Sequence, residues 1–292
     1  MEILIDIFGS DEDIATPVMA SCNMYKKVKS KLILVGKRLE IEETINKNFK
    51  DSTDILDNIK ILDCDDYIKN TEEPAWAIKN KKNSSIVVAY NYMKEHEDTV
   101  FISAGSTGAI MAGALLKIGR IKGIHRPALV TILPTINDNR VLLLDSGANP
   151  QAKDISIIQY AKLGNLYAKE LLRIKDPKVA LLNIGEESEK GTPELKLIYK
   201  SLEENISNFC GNIEARYILD GNIDVVVCDG LLGNIALKSL EGSVKSVKTI
   251  LSRSFNKSVI NKLVGLIAKP ILTKALKKYD YKQNGRSSTS WR

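Results

Sequence analysis

Four polar turns in this chain carry residue types suited to gripping an anion. The first lies in residues 100–114, where a short apolar run stops at Gly105-Ser106-Thr107-Gly108 and an Ala-rich helical run begins at once. Glycine lets the backbone turn where a side chain would clash, and Ser106 or Thr107 can cap the new helix. A helix's first turn leaves N–H groups free and carries partial positive charge, so the spot suits an oxyanion or phosphate. An ordinary strand-to-helix turn has the same composition, and this stretch alone leaves both readings open. Asp145-Ser146-Gly147-Ala148-Asn149, residues 184–193 and Asp229-Gly230-Leu231-Leu232-Gly233-Asn234 are three further polar turns, each behind an apolar run.

Those runs must position the turns. Residues 2–7, 32–36, 59–63, 179–183 and 224–228 read as strands, 127–133 and 141–144 as a hairpin, and 205–209 as a short further strand. Helical stretches fall at 15–28, 38–49, 85–94, after Gly105 as far as Gly119, at 153–172, and from Asp229 to 252. Nearly all-apolar strands alternating with helices predict a mostly parallel sheet covered on both faces. In such α/β sheets ligands sit outside the carboxyl ends of the strands, so the turns are expected to converge at one edge.

The bounds are those of a soluble globular protein: 292 residues, 44% hydrophobic and 27% charged. No apolar run reaches the roughly 18 residues of a membrane span, and no basic region precedes the first strand, so a cytoplasmic chain is expected. Cys22, Cys64, Cys210 and Cys228 lack any CxxC spacing and read as reduced thiols; no ligand spacing suggests a metal. The net charge of +6 is local. Residues 253–282 hold eight basic side chains against Asp280, which leaves residues 1–252 net negative. A nucleic-acid binder would more often spread that charge over its body, so none is expected as a partner. The absence of a GxGxxG followed by an acid about 20 positions later argues against a nicotinamide-dependent dehydrogenase.

Several stretches together resemble the bacterial acyl-[acyl-carrier-protein]:phosphate acyltransferases of fatty acid and phospholipid synthesis. They are Glu73-Pro74 through Ser84-Ser85, Ala104 to Ala109, Gly119-Arg120-Ile121-Lys122-Gly123-Ile124-His125-Arg126-Pro127-Ala128 and Leu144-Asp145-Ser146-Gly147-Ala148-Asn149. Leu182-Asn183-Ile184-Gly185-Glu186-Glu187, Gly211-Asn212-Ile213-Glu214-Ala215-Arg216 and Asp229 to Asn234 complete the set. The likeness spans residues 1–282. It departs at Ser106, where the family usually has Asn, and at Asp6 to Asp11, where it usually has Asp-Ala-Met-Gly-Gly-Asp.

The resemblance implies a three-layer αβα fold like that of isopropylmalate dehydrogenase and phosphotransacetylase, with residues 1–252 as catalytic domain. It also implies transfer of a long-chain acyl group from acyl-carrier-protein thioester to inorganic phosphate, with no cofactor. The acyl phosphate would pass to a downstream glycerol-phosphate acyltransferase. Phosphate dianion is already nucleophilic at neutral pH, so the site needs positioning and oxyanion donors rather than a triad. Lys190, Asp229 and Asn234 are the expected catalytic residues. Gly105, Ser106, Thr107, Gly108, Asp145, Asn149 and Asn212 are the expected substrate and phosphate contacts. Each has a plainer alternative: Asp145 and Asp229 as turn caps, Lys190 as a solvated side chain, Asn212 and Asn234 as turn residues. Other functions stay open: a phosphotransacetylase-like enzyme using a coenzyme A thioester, and a non-enzymatic membrane-binding module.

Residues 253–282 form a second signal. Apolar positions at helical spacing, among them Leu263, Val264 and Ile267, alternate with lysines, and Gly265 and Pro270 suggest two short helices or a bent hairpin. Such a basic amphipathic segment can lie in an anionic membrane interface or pack across a dimer. The resemblance favours peripheral membrane association together with a homodimer. Beyond Tyr281 the family usually continues into an apolar Ala-Pro-Leu-Leu-Gly-like strand and a helix, whereas residues 283–292 are polar and without period. One codon choice for residues 285–291, read one base later, spells Val-Glu-Ala-Pro-Leu-Leu. An aberrant tail from a single-base frameshift is therefore expected, with too little apolar surface to order.

Overall fold

The computed structural model describes residues 1–10, 13–28, 30–277 and 286–288, and the chain divides into two compact units, Met1–Arg120 and Ile121–Ser290. The first unit holds strands β1 (Glu2–Asp6), β2 (Lys31–Gly36), β3 (Lys60–Asp63) and β4 (Thr99–Ile102) in one sheet, ordered β3-β2-β1-β4. Every pairing in it is parallel. Leu32 to Val35 of β2 are buried without alternation, which requires cover on both faces. Helices α1 (Ala15–Tyr25), α2 (Arg38–Asn48), α3 (Ser52–Asn58) and, beyond α4 (Pro74–Asn80), α5 (Ser85–Glu95) contribute the matching apolar faces, with Val18, Cys22, Ile41, Ile45, Ile55 and Ala89 in the sheet's core. Ala77 and Ile78 of α4 pack in a separate cluster with Ile86 and Tyr90.

Helix α6 (Thr107–Gly113) follows β4, but the helix predicted to Gly119 changes character at its middle, widening into a π-helical turn at Ala114–Ile118. The Tyr90 hydroxyl donates to the Ile110 carbonyl over 2.8 Å, and its ring lies against Gly113. An outside donor entering the ladder is a recognised cause of such widening.

The second unit holds β5 (Leu129–Pro134), β6 (Arg140–Leu144), β7 (Val179–Asn183), β8 (Phe209–Glu214), β9 (Val225–Val227) and β10 (Arg286–Ser288). The order is β10-β5-β6-β9-β7-β8, with β5 antiparallel to both neighbours and the others parallel. Alternate residues serve opposite faces. Leu142, Leu144, Leu181, Val225 and Val227 pack with helices α7 (Asp154–Glu170) and α8 (Pro193–Asn205). Val141, Leu143, Leu182 and Val226 pack with α9 (Gly230–Phe255) and with the 3-10 helix Ala215–Asp220.

Four expectations change. The strands form two sheets, so the turns fall into two groups, one in each unit. The strand expected at 205–209 is β8, which starts where that window ends, and a helix, α8, occupies the residues before it. No break occurs at residue 252: α9 runs unbroken to Phe255 and turns back into α10 (Val259–Lys277), a single helix through Pro270. Asn261 Nδ2 donates to the Ser254 carbonyl over 3.0 Å and ties that turn. Of the tail expected without structure, Arg286–Ser288 pairs with β5, whose open edge offers free backbone groups to any extended segment. The remainder of residues 278–292 lies outside the described residues.

Candidate active site

Sheet register in the second unit sets the site. Leu144 pairs with Val227, Val227 with Leu181, and Leu181 with Asn212, forming one row across four parallel strands. The segments beyond β6, β9 and β7 therefore leave the same edge side by side, at strand spacings of about 4.8 Å. These segments carry Asp145 to Asn149, Asp229 to Asn234 and the loop with Lys190.

Asp145 is fully buried and organises its own turn. Its Oδ1 accepts from the backbone N–H groups of Leu129, Gly147 and Ala148 at 3.1, 3.1 and 2.8 Å. Its Oδ2 accepts from the Asn149 N–H at 2.7 Å and from Asn149 Nδ2 at 2.8 Å. The Asn149 amide also donates to the Pro127 carbonyl and the Tyr160 hydroxyl. The side chains of Asp145 and Asn149, both expected among the phosphate contacts, are thus engaged with the turn itself, and for Asp145 this is the geometry of a turn cap.

The turn's outer surface is the seat of α9. The Gly230 N–H donates to the Asn149 carbonyl at 2.7 Å, and Asp229 Oδ1 caps the helix by accepting from the Leu232 N–H at 2.8 Å. A side chain at position 233 is impossible without movement, since a Cβ there would fall 2.0 Å from the Asp145 carbonyl oxygen. Asn234 follows, half-buried, with its amide about van der Waals distance from where a Cβ on Gly147 would stand. Cys228, just before the cap, is buried, and burial beside the charges of Asp145 and Asp229 pushes its thiol well above the usual range. A thiol raised by burial is a poor nucleophile.

The loop after β7 presents Lys190. Asn183 Nδ2 donates to the Lys190 carbonyl at 3.1 Å and its Oδ1 accepts from the Ile184 N–H at 2.8 Å. Asn212 Nδ2 donates to the Glu187 carbonyl at 2.8 Å. The Lys190 side chain is half exposed, with Nζ 3.8 Å from Glu187 Oε1. Asn212, expected among the phosphate contacts or as a turn residue, sits within strand β8 rather than in a turn, and its amide nitrogen holds backbone. Sequence reasoning passed over Asn183, although an Asn closing an apolar strand before a glycine-bearing loop is a usable signal.

Gly105, Ser106, Thr107 and Gly108 belong to the first unit. The Gly105 N–H donates to Ser103 Oγ at 3.0 Å, which in turn donates to Asp6 Oδ2 at 2.8 Å. Ser106 caps α6 by accepting from the Ala109 N–H, while Thr107 and Gly108 are exposed. Asp6 also accepts from the Phe8 N–H at 3.0 Å, and burial raises its carboxyl above the usual range. The sequence reading overlooked Asp6, whose signal was an acid ending an apolar strand. On α10, Leu263, Val264 and Ile267 are all exposed. Among the described residues no helix is long and apolar enough to cross a membrane.

The chain is similar to known proteins over nearly its whole length. The model of the family described as "Fatty acid synthesis protein" matches residues 1–290. A phosphate acyltransferase of Halothermothrix orenii is 40% identical over 98% of this chain and 85% of its own. One from Dictyoglomus thermophilum is 40% identical over 98% and 84%. Among solved structures, a phosphotransacetylase from Streptococcus pyogenes superposes with a TM-score of 0.57 at 17% identity, covering 83% of this chain and 82% of its own. At that identity the likeness concerns the fold, which agrees with the phosphotransacetylase-like αβα expectation.

Proposed function

Because the chain belongs to the fatty acid synthesis protein family, we propose that it transfers a fatty acyl group from a thioester to inorganic phosphate, releasing an acyl phosphate. The observation that carries this reading is the shared sheet edge at which Lys190, the capped start of α9 and Asn234 leave neighbouring strands.

A phosphate oxygen attacks the thioester carbonyl, the carbon–oxygen bond forms, and the tetrahedral oxyanion collapses with loss of the carbon–sulfur bond. The proton left on the phosphoryl group ends on the departing thiolate. Lys190 draws the dianion and holds it against the thioester carbonyl. Asn234 supplies an amide donor to the oxyanion, and Asp229 fixes the first turn of α9 that presents it. Preorganised donors of this kind require no reorganisation during the reaction. A buried thiol such as that of Cys228 takes no covalent part.

The acyl donor in this reading is long-chain acyl-carrier protein, and the chain works as a cytoplasmic homodimer held at an anionic membrane surface by α10. Its acyl phosphate feeds an acyltransferase acting on glycerol phosphate. Support for the membrane contact comes from the lysines of residues 253–282 and from the exposed Leu263, Val264 and Ile267. Initial rates of thiol release with carrier-protein and coenzyme A thioesters of one chain length test the donor. Faster turnover of the carrier-protein thioester is expected. Preference for the coenzyme A thioester would favour a phosphotransacetylase-like enzyme, and no release from either would leave a membrane-binding module.

A further inference from the structure

We propose that Asn183 and Asn212 are positioning residues that hold the loop between β7 and α8 in the one shape that presents Lys190, a claim that rests on the active-site reading above. The loop has no ladder of its own, and both of its anchors are side-chain amides. Asn183, at the end of β7, holds the loop's two ends at once: Ile184 N–H on its oxygen and the Lys190 carbonyl on its nitrogen. Asn212, on the neighbouring strand, reaches the loop's middle at the Glu187 carbonyl. The Lys190 N–H closes the remaining span by donating to that same Glu187 carbonyl at 3.1 Å. Glu187 therefore accepts from two sides, and Lys190 is pinned through its own carbonyl and N–H.

Two further observations fit a loop held to one shape. Gly191 takes φ +90°, and a Cβ there would lie 2.6 Å from Asn183 Oδ1, so the chain leaves the loop only by a path open to glycine. The Lys190 stem packs on Gly185, where a Cβ would fall 2.8 Å from Lys190 Cγ. Asn212 also leaves its side-chain amide oxygen, Oδ1, buried without a partner among the described residues. An unpaired buried acceptor works against stability, so an apolar side chain would serve β8 better if the strand alone mattered. The donor end of that amide is what the loop uses.

The test combines hydrogen exchange with a mutant cycle on the full-length chain. Asn212→Leu and Asn183→Leu keep about the size of the side chain, add no charge and remove the amide that holds the loop. Each is expected to speed amide exchange in residues 184–191 by about tenfold, leaving β7 protected, and to lower kcat by on the order of 100-fold, as small misplacements of a catalytic group do. Lys190→Ala combined with either variant is expected to be no slower than Lys190→Ala alone, because the clamp acts through that lysine. Unchanged exchange in the loop, or multiplicative losses in the double variants, overturns the proposal while leaving Lys190 in the site. Wild-type turnover of Lys190→Ala overturns the active-site reading and the positioning claim together. If one Asn variant does not fold, the other carries the same cycle.

Discussion

Gly233 lies so close to Asp145 that the first turn of α9 rests directly on the carbonyl oxygen of that residue, 2.0 Å from where a Cβ would be. The contact joins the turn behind β6 to the helix behind β9, and so makes one edge of two loops. Gly233→Ala is expected to cost about 3 kcal/mol or more, because backbone on both sides must move. Gly242→Ala in the same helix has nothing within 4 Å and should instead stabilise, by roughly 0.5–1 kcal/mol. Urea unfolding of both variants checks the contrast.

Lys190 and Asp229 should separate function from stability in different ways. Lys190 makes a long, half-exposed ion pair with Glu187, so Lys190→Ala should change stability by no more than about 0.5 kcal/mol while slowing turnover about 100-fold. Asp229 caps a 26-residue helix, so Asp229→Ala should cost about 1 kcal/mol besides slowing turnover. Asp229→Ser keeps a cap and should recover the stability. Melting curves beside steady-state rates distinguish the two residues.

Asp6 carries a pH signature. Burial raises its carboxyl in the folded state above the roughly 3.9 of an unfolded chain, so the folded state binds more protons in the interval between the two values. Stability from this group is therefore greatest below the unfolded value and falls as pH rises through the folded one. In Asp6→Asn that fall should be missing from the pH dependence of urea unfolding. An equally steep fall in the variant would mean that other groups cause it.

Helix α10 should bind anionic vesicles. Each basic side chain near such a surface contributes about 1 kcal/mol, and the apolar row adds insertion. Leu263→Glu and Val264→Glu place charge on residues already exposed, so the fold should survive while co-sedimentation is lost. High salt should weaken the wild type as well. Binding indifferent to both changes would mean that the segment packs on protein.

Much of the fold could be read from residues because buried parallel strands are nearly continuous apolar runs, as in Leu32 to Val35 and Val225 to Val227. Strand β8 escaped correct placement for a local reason. Gly211-Asn212 has turn composition, yet Gly211 takes φ +96° within the strand, where the register between β7 and β8 shifts by one residue. Helix α8 escaped because its apolar face is thin, with Ile198 and Leu202 its only buried residues, although Thr192-Pro193 is a clear start signal. The polar turns were legible as turns, but the direction of their side chains was not. Whether Asp145 faces a ligand or its own backbone depends on five donors from two separate stretches, Leu129 and residues 147–149, and no spacing in the sequence encodes that.

The most direct test of the proposed reaction is the fate of labelled phosphate. With long-chain acyl-carrier protein and [32P]phosphate, the account predicts one equivalent of free thiol for each equivalent of label entering a lipophilic, hydroxylamine-sensitive product, with both formed about 100-fold more slowly in Lys190→Ala. Thiol release without label in that product, or none of either from the folded chain, would contradict it.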